Sequence, residues 1–433
     1  MKRLIIFPMI LSIMFCSCAE TPSEVDSEIN AYNNASTVDN TNMQYDDIMN
    51  VLAQARDFAD TNKTNITVEN IVLPESTSMP VYEMKLECSD IDGTMEKLSA
   101  SKSLHFEGGE TVKIDNNIDQ WKNSGNNIFT YEPSENAKVM YNKGQSIQCE
   151  RGTYFGFNLA VTQTGIISRL PEWSSPDTMP PDTYTAQKRY YFGFDEITDS
   201  YTLFDGKEMT ISQAASFAQS FADEVFASSE QSQFQYKADY IDVREIEKGK
   251  NGIYVLLTRC DKNGSRFDST FAYKHDLTKD LPALLAQPVL VWITRTDYIA
   301  EAERHYALKL TSEKETGKLL TLQSAADKLS NTLAQSTIYS IKRASLRYVS
   351  EFKSSDYVKQ AKKYYDSIDE SKQFEVLVSP QAISAYGNYE LEARPCWVFE
   401  TCTGTGKETN CGTVYIIDAL TGEIRIENES VRF

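Results

Sequence analysis

Gly206-Lys-Glu-Met-Thr-Ile-Ser-Gln-Ala-Ala215 recurs without gaps as Gly317-Lys-Leu-Leu-Thr-Leu-Gln-Ser-Ala-Ala326. The glycine, first lysine, threonine and two alanine positions are identical, and two further positions exchange one aliphatic-type side chain for another. In both copies the pattern predicts a turn at the glycine and a helix capped by Thr210 or Thr321. Thr210 and Gln213 also have the spacing of a capping box. The alternative interpretation is a chance similarity over ten residues.

The sequence after each predicted helix favours strands. Residues 236–246, 253–260 and 266–273 follow the first helix, and residues 338–352, 374–378, 389–402 and 412–418 follow the second. A helix with one apolar face and a sheet with one apolar face must cover each other. We therefore expect one helix followed by an antiparallel meander, used twice, as units at 201–304 and 305–433.

The region before the repeat has a different pattern. Apolar residues at helical spacing predict a helix at 46–60, and alternation from Val81 to Cys88 predicts a half-buried strand. Short β-like segments continue to residue 161, and prolines at 171–181 indicate a long surface loop. We expect a β-rich N-terminal domain at 45–200 and an α+β fold for the whole chain.

The C-terminal strands carry a motif. It consists of Tyr389, Leu391, Pro395, Trp397 and Phe399, followed by Val414, Ile416, Asp418, Ala419, Thr421, Gly422 and Glu423. This pattern resembles the closing hairpin of PepSY-like and YycI-like modules, although the spacing before Pro395 differs. We expect Asp418 and Gly422 to shape a tight reversal. The resemblance implies a non-enzymatic, extracytoplasmic module of Gram-positive envelopes, of a kind that in some cases inhibits peptidases or tunes a sensor kinase.

The N-terminus resembles a lipoprotein export signal. Two basic residues precede an apolar run at 4–15, which is shorter than the roughly 20 residues of a spanning helix. Phe15-Cys16-Ser17-Cys18 then resembles a bacterial lipobox, with Cys18 as the lipidated residue. We expect a signal peptide at 1–17 and a flexible acidic tether at 18–44. The alternative is ordinary secretion with cleavage nearby. The whole chain also resembles uncharacterised lipoproteins of Gram-positive bacteria.

Composition narrows the possible functions. The chain has 433 residues and a formal net charge of −19, which argues against nucleic-acid binding. Its three histidines, His105, His275 and His305, lack metal-chelating spacing. We therefore expect no catalytic, cofactor-binding or metal-binding residues and no cofactor.

Six cysteines remain beyond Cys16 and Cys18. Cys402 and Cys411 flank a predicted hairpin turn and could form a disulfide, which an exported protein permits. The alternative is a set of unpaired, partly buried thiols.

These observations favour a membrane-anchored extracytoplasmic lipoprotein, bound to membrane lipid through Cys18, with a binding or regulatory role towards an envelope protein. Two alternatives remain. One is a glycan- or peptidoglycan-binding surface protein that uses tyrosine and tryptophan. The other is an unrecognised hydrolase with a carboxylate pair.

Overall fold

A computed structural model describes much of the chain. The described residues are 43–58, 65–87, 93, 96–97, 100–104, 111–113, 128–134, 137–142, 145–152, 156–163, 188–192, 197–227, 233–267, 289–304, 307–333, 339–352, 390–403 and 410–428. The predicted signal peptide, Cys18, nearly all of the tether, the proline-containing loop and the predicted strand at 374–378 lie outside them.

The described residues form an α+β structure that is rich in strands. The helices are α1 (Ile48–Arg56), α2 (Ile211–Ala222) and α3 (Leu322–Thr332). The strands are β1 (Tyr45–Asp46), β2 (Ile66–Val68), β3 (Ile71–Val72), β4 (Val81–Glu87), β5 (Thr111–Lys113), β6 (Ile128–Ser134), β7 (Ala137–Asn142), β8 (Gln145–Gly152), β9 (Gly156–Gln163), β10 (Lys188–Tyr191), β11 (Ser200–Thr202), β12 (Glu208–Thr210), β13 (Gln235–Glu247), β14 (Lys250–Cys260), β15 (Val289–Arg295), β16 (Tyr298–Arg304), β17 (Ala307–Lys314), β18 (Leu319–Leu320), β19 (Tyr339–Phe352), β20 (Glu390–Thr403), β21 (Asn410–Asp418) and β22 (Ile424–Asn428).

The first sheet has ten strands in the order β10-β13-β14-β15-β16-β9-β8-β7-β6-β5. Helix α2 packs on β13, β14 and β15. Its buried residues, among them Ala214, Ala218 and Phe221, form a core with apolar residues from one face of those strands. On the face opposite α2, strands β13, β14 and β15 carry charged and aromatic side chains, among them Asp242, Tyr254 and Trp292.

The second sheet has the order β17-β4-β20-β19-β2, extended by β21 and β22 beyond β20 and by β3 beside β19. Helices α1 and α3 share its core with Trp397 and Phe399 of β20 and Tyr415 of β21. A smaller apolar cluster, including Val349 and Val398, lies on the opposite face of the same strands.

The helix-plus-meander pattern occurs twice. Helix α2 is followed by the antiparallel neighbours β13, β14, β15 and β16, and α3 is followed by β19, β20, β21 and β22. Thr210 and Gln213 form the predicted capping box, and the Thr321 hydroxyl accepts a hydrogen bond from the Ser324 amide at 3.3 Å. Gly206 has the positive φ of 76° that a left-handed turn requires, which confirms the predicted turn in the first copy. The turn predicted at Gly317 is wrong, because Gly317 has no positive φ and the strand after it pairs with β1.

The repeat is also matched in strand register. Met209 of β12 pairs with Tyr201, and Leu320, the same position of the second copy, pairs with Tyr45. The first copy therefore pairs with a neighbouring strand. The second copy pairs with a strand from the other end of the chain.

Segments from residues 45–200 enter both sheets. Strand β4 lies between β17 and β20 of the second sheet, whereas β9 pairs with β16 and β10 with β13 in the first sheet. The hairpin of β15 and β16 has no counterpart in the sequence-based prediction. No helix among the described residues is long and apolar enough to cross a membrane.

Candidate functional site: the charged junction between the sheets

Four charged side chains meet where the two sheets contact each other. We call Asp239, Arg343, Arg347 and Glu400 the junction. Asp239 belongs to β13 of the first sheet, and the other three belong to β19 and β20 of the second sheet. Asp239, Arg343 and Arg347 have no exposed side-chain surface. Complete burial of three charged groups requires that they compensate one another.

Asp239 accepts hydrogen bonds from both arginines. Arg343 donates from Nη1 to Oδ1 at 2.6 Å and from Nη2 to Oδ2 at 3.0 Å. Arg347 donates from Nη1 to Oδ2 and from Nη2 to Oδ1, both at 3.1 Å. Each guanidinium therefore spans both carboxylate oxygens, which is the strongest geometry available to such a pair.

Local strand structure positions these groups. Arg343 and Arg347 are four residues apart in β19, so strand alternation places them on one face. The intervening Ala344 and Leu346 face the helix-covered core of the second sheet. A β-bulge between Ala238 and Tyr240 lies at Asp239 in the partner sheet. Bulges re-aim side chains and leave one residue outside the ladder.

Glu400 completes the junction from β20. Arg343 donates to Glu400 Oε1 from Nε at 2.7 Å and also from Nη2. Burial raises the pKa of Glu400, and the two arginines oppose that effect only in part. Burial also acts to raise the pKa of Asp239, but Arg343 and Arg347 outweigh it and hold that pKa far below its ordinary value. The pKa values of the two acids are therefore shifted in opposite directions, although both acids accept hydrogen bonds from Arg343.

An aromatic ring borders the junction. The Arg343 guanidinium carbon lies 5.2 Å from the centre of the Tyr191 ring, within the range of a cation–π contact. Burial, followed by the charge of Glu400, raises the pKa of Tyr191 to about 12. Tyr191 is therefore a neutral side chain at physiological pH.

A second polar contact joins the sheets. The Tyr82 hydroxyl of β4 donates to Asp261 Oδ2, just after β14, at 2.9 Å. Asp261 Oδ1 also accepts from the amides of Asn263 and Ser265, both at 2.9 Å, which stabilises the turn after β14. Burial, followed by Asp261, raises the pKa of Tyr82 well above its ordinary value. This aspartate thus fixes a turn in one sheet and a tyrosine of the other.

The C-terminal motif residues have structural contacts. Trp397 is buried, and its Nε1 donates to the Leu320 carbonyl at 2.7 Å. Asp418 Oδ1 accepts from the amides of Leu420 and Thr421 at 2.7 and 3.0 Å, and Gly422 has a φ of 72°. The predicted reversal at Asp418 and Gly422 is therefore confirmed.

The structure describes the predicted cysteine sites to different extents. Cys18 lies outside the described residues. The register of β20 and β21 pairs Cys402 with Cys411, but their side chains are not described, so the disulfide stays a prediction. Cys260 and Cys396 are buried, and burial raises the pKa of the Cys260 thiol to about 12. A thiol with that pKa is a poor nucleophile at neutral pH.

The sequence alone does not predict the junction. Its one signal was Arg343-Ala-Ser-Leu-Arg347, in which two arginines share a face of a long strand. The position of Asp239 depends on a tertiary contact more than one hundred residues away in the chain. Within the described ranges, no group of three or more His, Cys, Asp or Glu side chains could hold a metal ion.

Comparison with solved structures finds chains of similar fold. No family of known proteins matches the sequence, and no curated protein matches it. The chain is similar to the crystal structure of an uncharacterized protein from Eubacterium rectale, with 15% sequence identity and a TM-score of 0.49. That match covers 88% of this chain and 99% of the other.

Proposed function

We propose that this chain is an extracytoplasmic lipoprotein, anchored to the bacterial membrane through Cys18, with a non-enzymatic binding or regulatory role towards an envelope protein. The leader at 1–17 and the Ser17-Cys18 pair support the anchor. The acidic, apolar-poor segment 18–44 suits a spacer between lipid and folded protein. Lipidation converts an exported protein into one that stays at the membrane surface.

The burial and pairing of Asp239 at the junction are the observation that supports the non-enzymatic role. A catalytic acid or base needs a proton that substrate can reach and a pKa near the working pH. Asp239 is fully buried, its pKa is far below that range, and both of its oxygens bind arginines. These contacts suit a structural group that holds the two sheets together and so supports a rigid binding module.

The resemblance to PepSY-like modules supports the same proposal. Each unit has a capped helix followed by four antiparallel strands, in agreement with the helix-plus-sheet organisation expected of such a module. Trp397 and Asp418 of the resembling motif hold the second unit together through the Leu320 carbonyl and the reversal. These contacts give the motif residues a structural role within the second unit, which is compatible with the proposed binding module.

The anchor is tested by metabolic labelling with a palmitate analogue in a Gram-positive host. We expect label in the full-length protein and in the Cys16→Ala control, and none in Cys18→Ala. We also expect Cys18→Ala to leave the membrane fraction and appear in the medium. Unlabelled wild-type protein, or label that survives Cys18→Ala, would contradict the proposed anchor.

The binding role is tested by crosslinking in intact cells, followed by mass spectrometry. We expect one envelope protein to crosslink to the anchored chain and much less to Cys18→Ala. The purified partner should then bind the purified full-length chain with a measurable Kd. Hydrolysis of peptidoglycan or peptide by the purified chain, without any such partner, would refute the proposal in favour of the hydrolase alternative.

A further inference from the structure

Two arginines flank one aspartate on the face of the first sheet that is opposite α2. Arg189 lies on β10, whereas Asp242 and Arg244 lie on β13. Arg189 donates from Nε to Asp242 Oδ1 at 2.7 Å and from Nη2 to Oδ2 at 2.8 Å. Asp242 is fully buried, so this side-on pair neutralises its charge. Together the three side chains carry one net positive charge.

The corresponding Nε–Nη2 edge of the Arg244 guanidinium does not bind a carboxylate of the described residues. Arg244 is only 9% exposed, and its buried Nε and Nη2 have no hydrogen-bond partner among the residues described. Nη2 lies 3.9 Å from Asp242 Oδ2, beyond hydrogen-bond distance. Buried donors of a charged group without acceptors are rare and unfavourable, and an anion or water commonly accounts for them.

Aromatic stacking holds this guanidinium in place. Its central carbon lies 4.4 Å from the centre of the Tyr254 ring. Tyr254 in turn stacks on Trp292 with ring centres 5.1 Å apart and planes 10° apart. Because stacking fixes the plane of the guanidinium, the two donors have a fixed direction and need no carboxylate to orient them.

The strand next to Arg244 contributes no side chain at the paired position. Across the ladder, Arg244 pairs with Gly252, which has no side chain to fill the cross-strand position. Of the Arg244 side chain, 11% is exposed, so part of the side chain reaches solvent, although Nε and Nη2 themselves are buried. A planar fork with two parallel N–H donors matches the two oxygens of a carboxylate or a phosphate group.

We propose that the Nε–Nη2 edge of Arg244 binds an oxyanion, either a carboxylate or a phosphate group, on the Tyr254–Trp292 stack. Arg189 shows the interaction within this protein, because the same two atoms bind the carboxylate of Asp242 at 2.7 and 2.8 Å. The ligand would accept two hydrogen bonds from Arg244, as Asp242 does from Arg189. This inference does not depend on the proposed lipid anchor or protein partner.

The test uses the full-length chain in detergent, titrated with acetate or inorganic phosphate against chloride at constant ionic strength. We expect saturable binding by calorimetry and a rise in Tm that follows the same Kd. Binding should weaken at least about tenfold in Arg244→Met, whose side chain has a similar stem but no donors. Arg244→Lys keeps the charge without the fork, and we expect it to bind more weakly than wild type.

Arg295→Met is the matched control. Arg295 also lies over a tyrosine of the first sheet, 5.7 Å from the Tyr298 ring, but its side chain is exposed. We expect wild-type affinity from this variant. Preference for acetate would assign a carboxylate ligand, and preference for phosphate a phosphoryl ligand. No saturable binding in the wild type, or equal weakening in Arg295→Met, would overturn the proposal. Should Arg244→Met fail to fold, undiminished affinity in Arg244→Lys would overturn it.

Discussion

The two repeat units begin alike and are completed differently. In the first unit, β12 pairs with β11, and only a short turn separates the two strands. In the second unit, β18 pairs with β1, which begins where the predicted tether ends. The equivalent positions Met209 and Leu320 nevertheless have the same register against Tyr201 and Tyr45. The repeat therefore specifies a short strand and a capped helix in both copies, whereas the glycine turn forms only at Gly206. Tertiary structure decides which segment pairs with the strand.

The helix caps show the same difference at the scale of one side chain. In α2, Gln213 Oε1 accepts from the Thr210 amide at 2.9 Å, so the capping box is closed within the helix. In α3, the corresponding Ser324 Oγ accepts from the amide of Gln44 at 2.9 Å. The same position of the repeat thus caps its own helix in the first copy and bonds to the distant N-terminal segment in the second.

The largest expected effect concerns the junction that joins the two units. Asp239→Ala leaves Arg343 and Arg347 buried without their shared carboxylate, so we expect the free energy of unfolding to fall by about 3–5 kcal/mol. Urea denaturation, followed by circular dichroism, measures this loss.

A surface ion pair of the second sheet provides the control. Lys85 Nζ lies 3.4 Å from Glu390 Oε1, and both side chains are close to half exposed. Lys85→Met should lower the free energy of unfolding by no more than about 1 kcal/mol. If Asp239→Ala has as small an effect, the junction does not hold the units together.

The glycine turns of the two units give the next effect. Gly206→Ala and Gly422→Ala each place a side chain at positive φ, which costs about 1–2 kcal/mol. A Cβ at Gly206 meets nothing within 4 Å, whereas a Cβ at Gly422 would lie 2.6 Å from Met43 Sδ. We therefore expect Gly422→Ala to lower the Tm more than Gly206→Ala does.

A double-mutant cycle sharpens this comparison. Met43→Ala should recover part of the extra loss in Gly422→Ala, because it removes the atom that the new Cβ meets. The same substitution should add independently to Gly206→Ala. Equal coupling in the two backgrounds would show that Met43 does not pack against the Gly422 turn.

The smallest effect concerns the two caps. Gln213→Ala and Ser324→Ala should each lower the free energy of unfolding by about 1 kcal/mol, since each removes one side-chain acceptor of a backbone amide. Only Ser324→Ala should also increase hydrogen exchange at the Gln44 amide. Faster exchange there in Gln213→Ala as well would contradict separate roles for the two caps.

Local signals predicted the local structure well. The Thr210 cap, the reversal at Asp418 and Gly422, and the long strands β13, β19 and β20 follow from spacing, turn chemistry and alternation in consecutive residues. The helix predicted at 46–60 is shorter, Ile48–Arg56 among the described residues, because the preceding Tyr45–Asp46 pairs with β18. Tertiary pairing thus changed the start of an element that its periodicity had identified.

Long-range pairing was not predictable in the same way. Strand β4 alternates apolar and charged residues, which indicates a strand but does not say which sheet it joins. Asp239 likewise does not stand out in sequence, because its strand also contains Asp242 and Glu245. Its role appears when β19 brings two arginines to it, and the stacked environment of Arg244 depends on three strands at once.

The pairing of β1 with β18 also affects how the protein is made. Gln44 and Ser324, which form a hydrogen bond with each other, are 280 positions apart in the sequence. Gln44 is therefore added to the growing chain long before Ser324. The first unit has its pairing strand beside it and can close as soon as its own residues emerge. The second unit must keep an early segment available until most of the polypeptide has been synthesised, so its assembly is a late step, and truncated chains lack the partner for their leading strand.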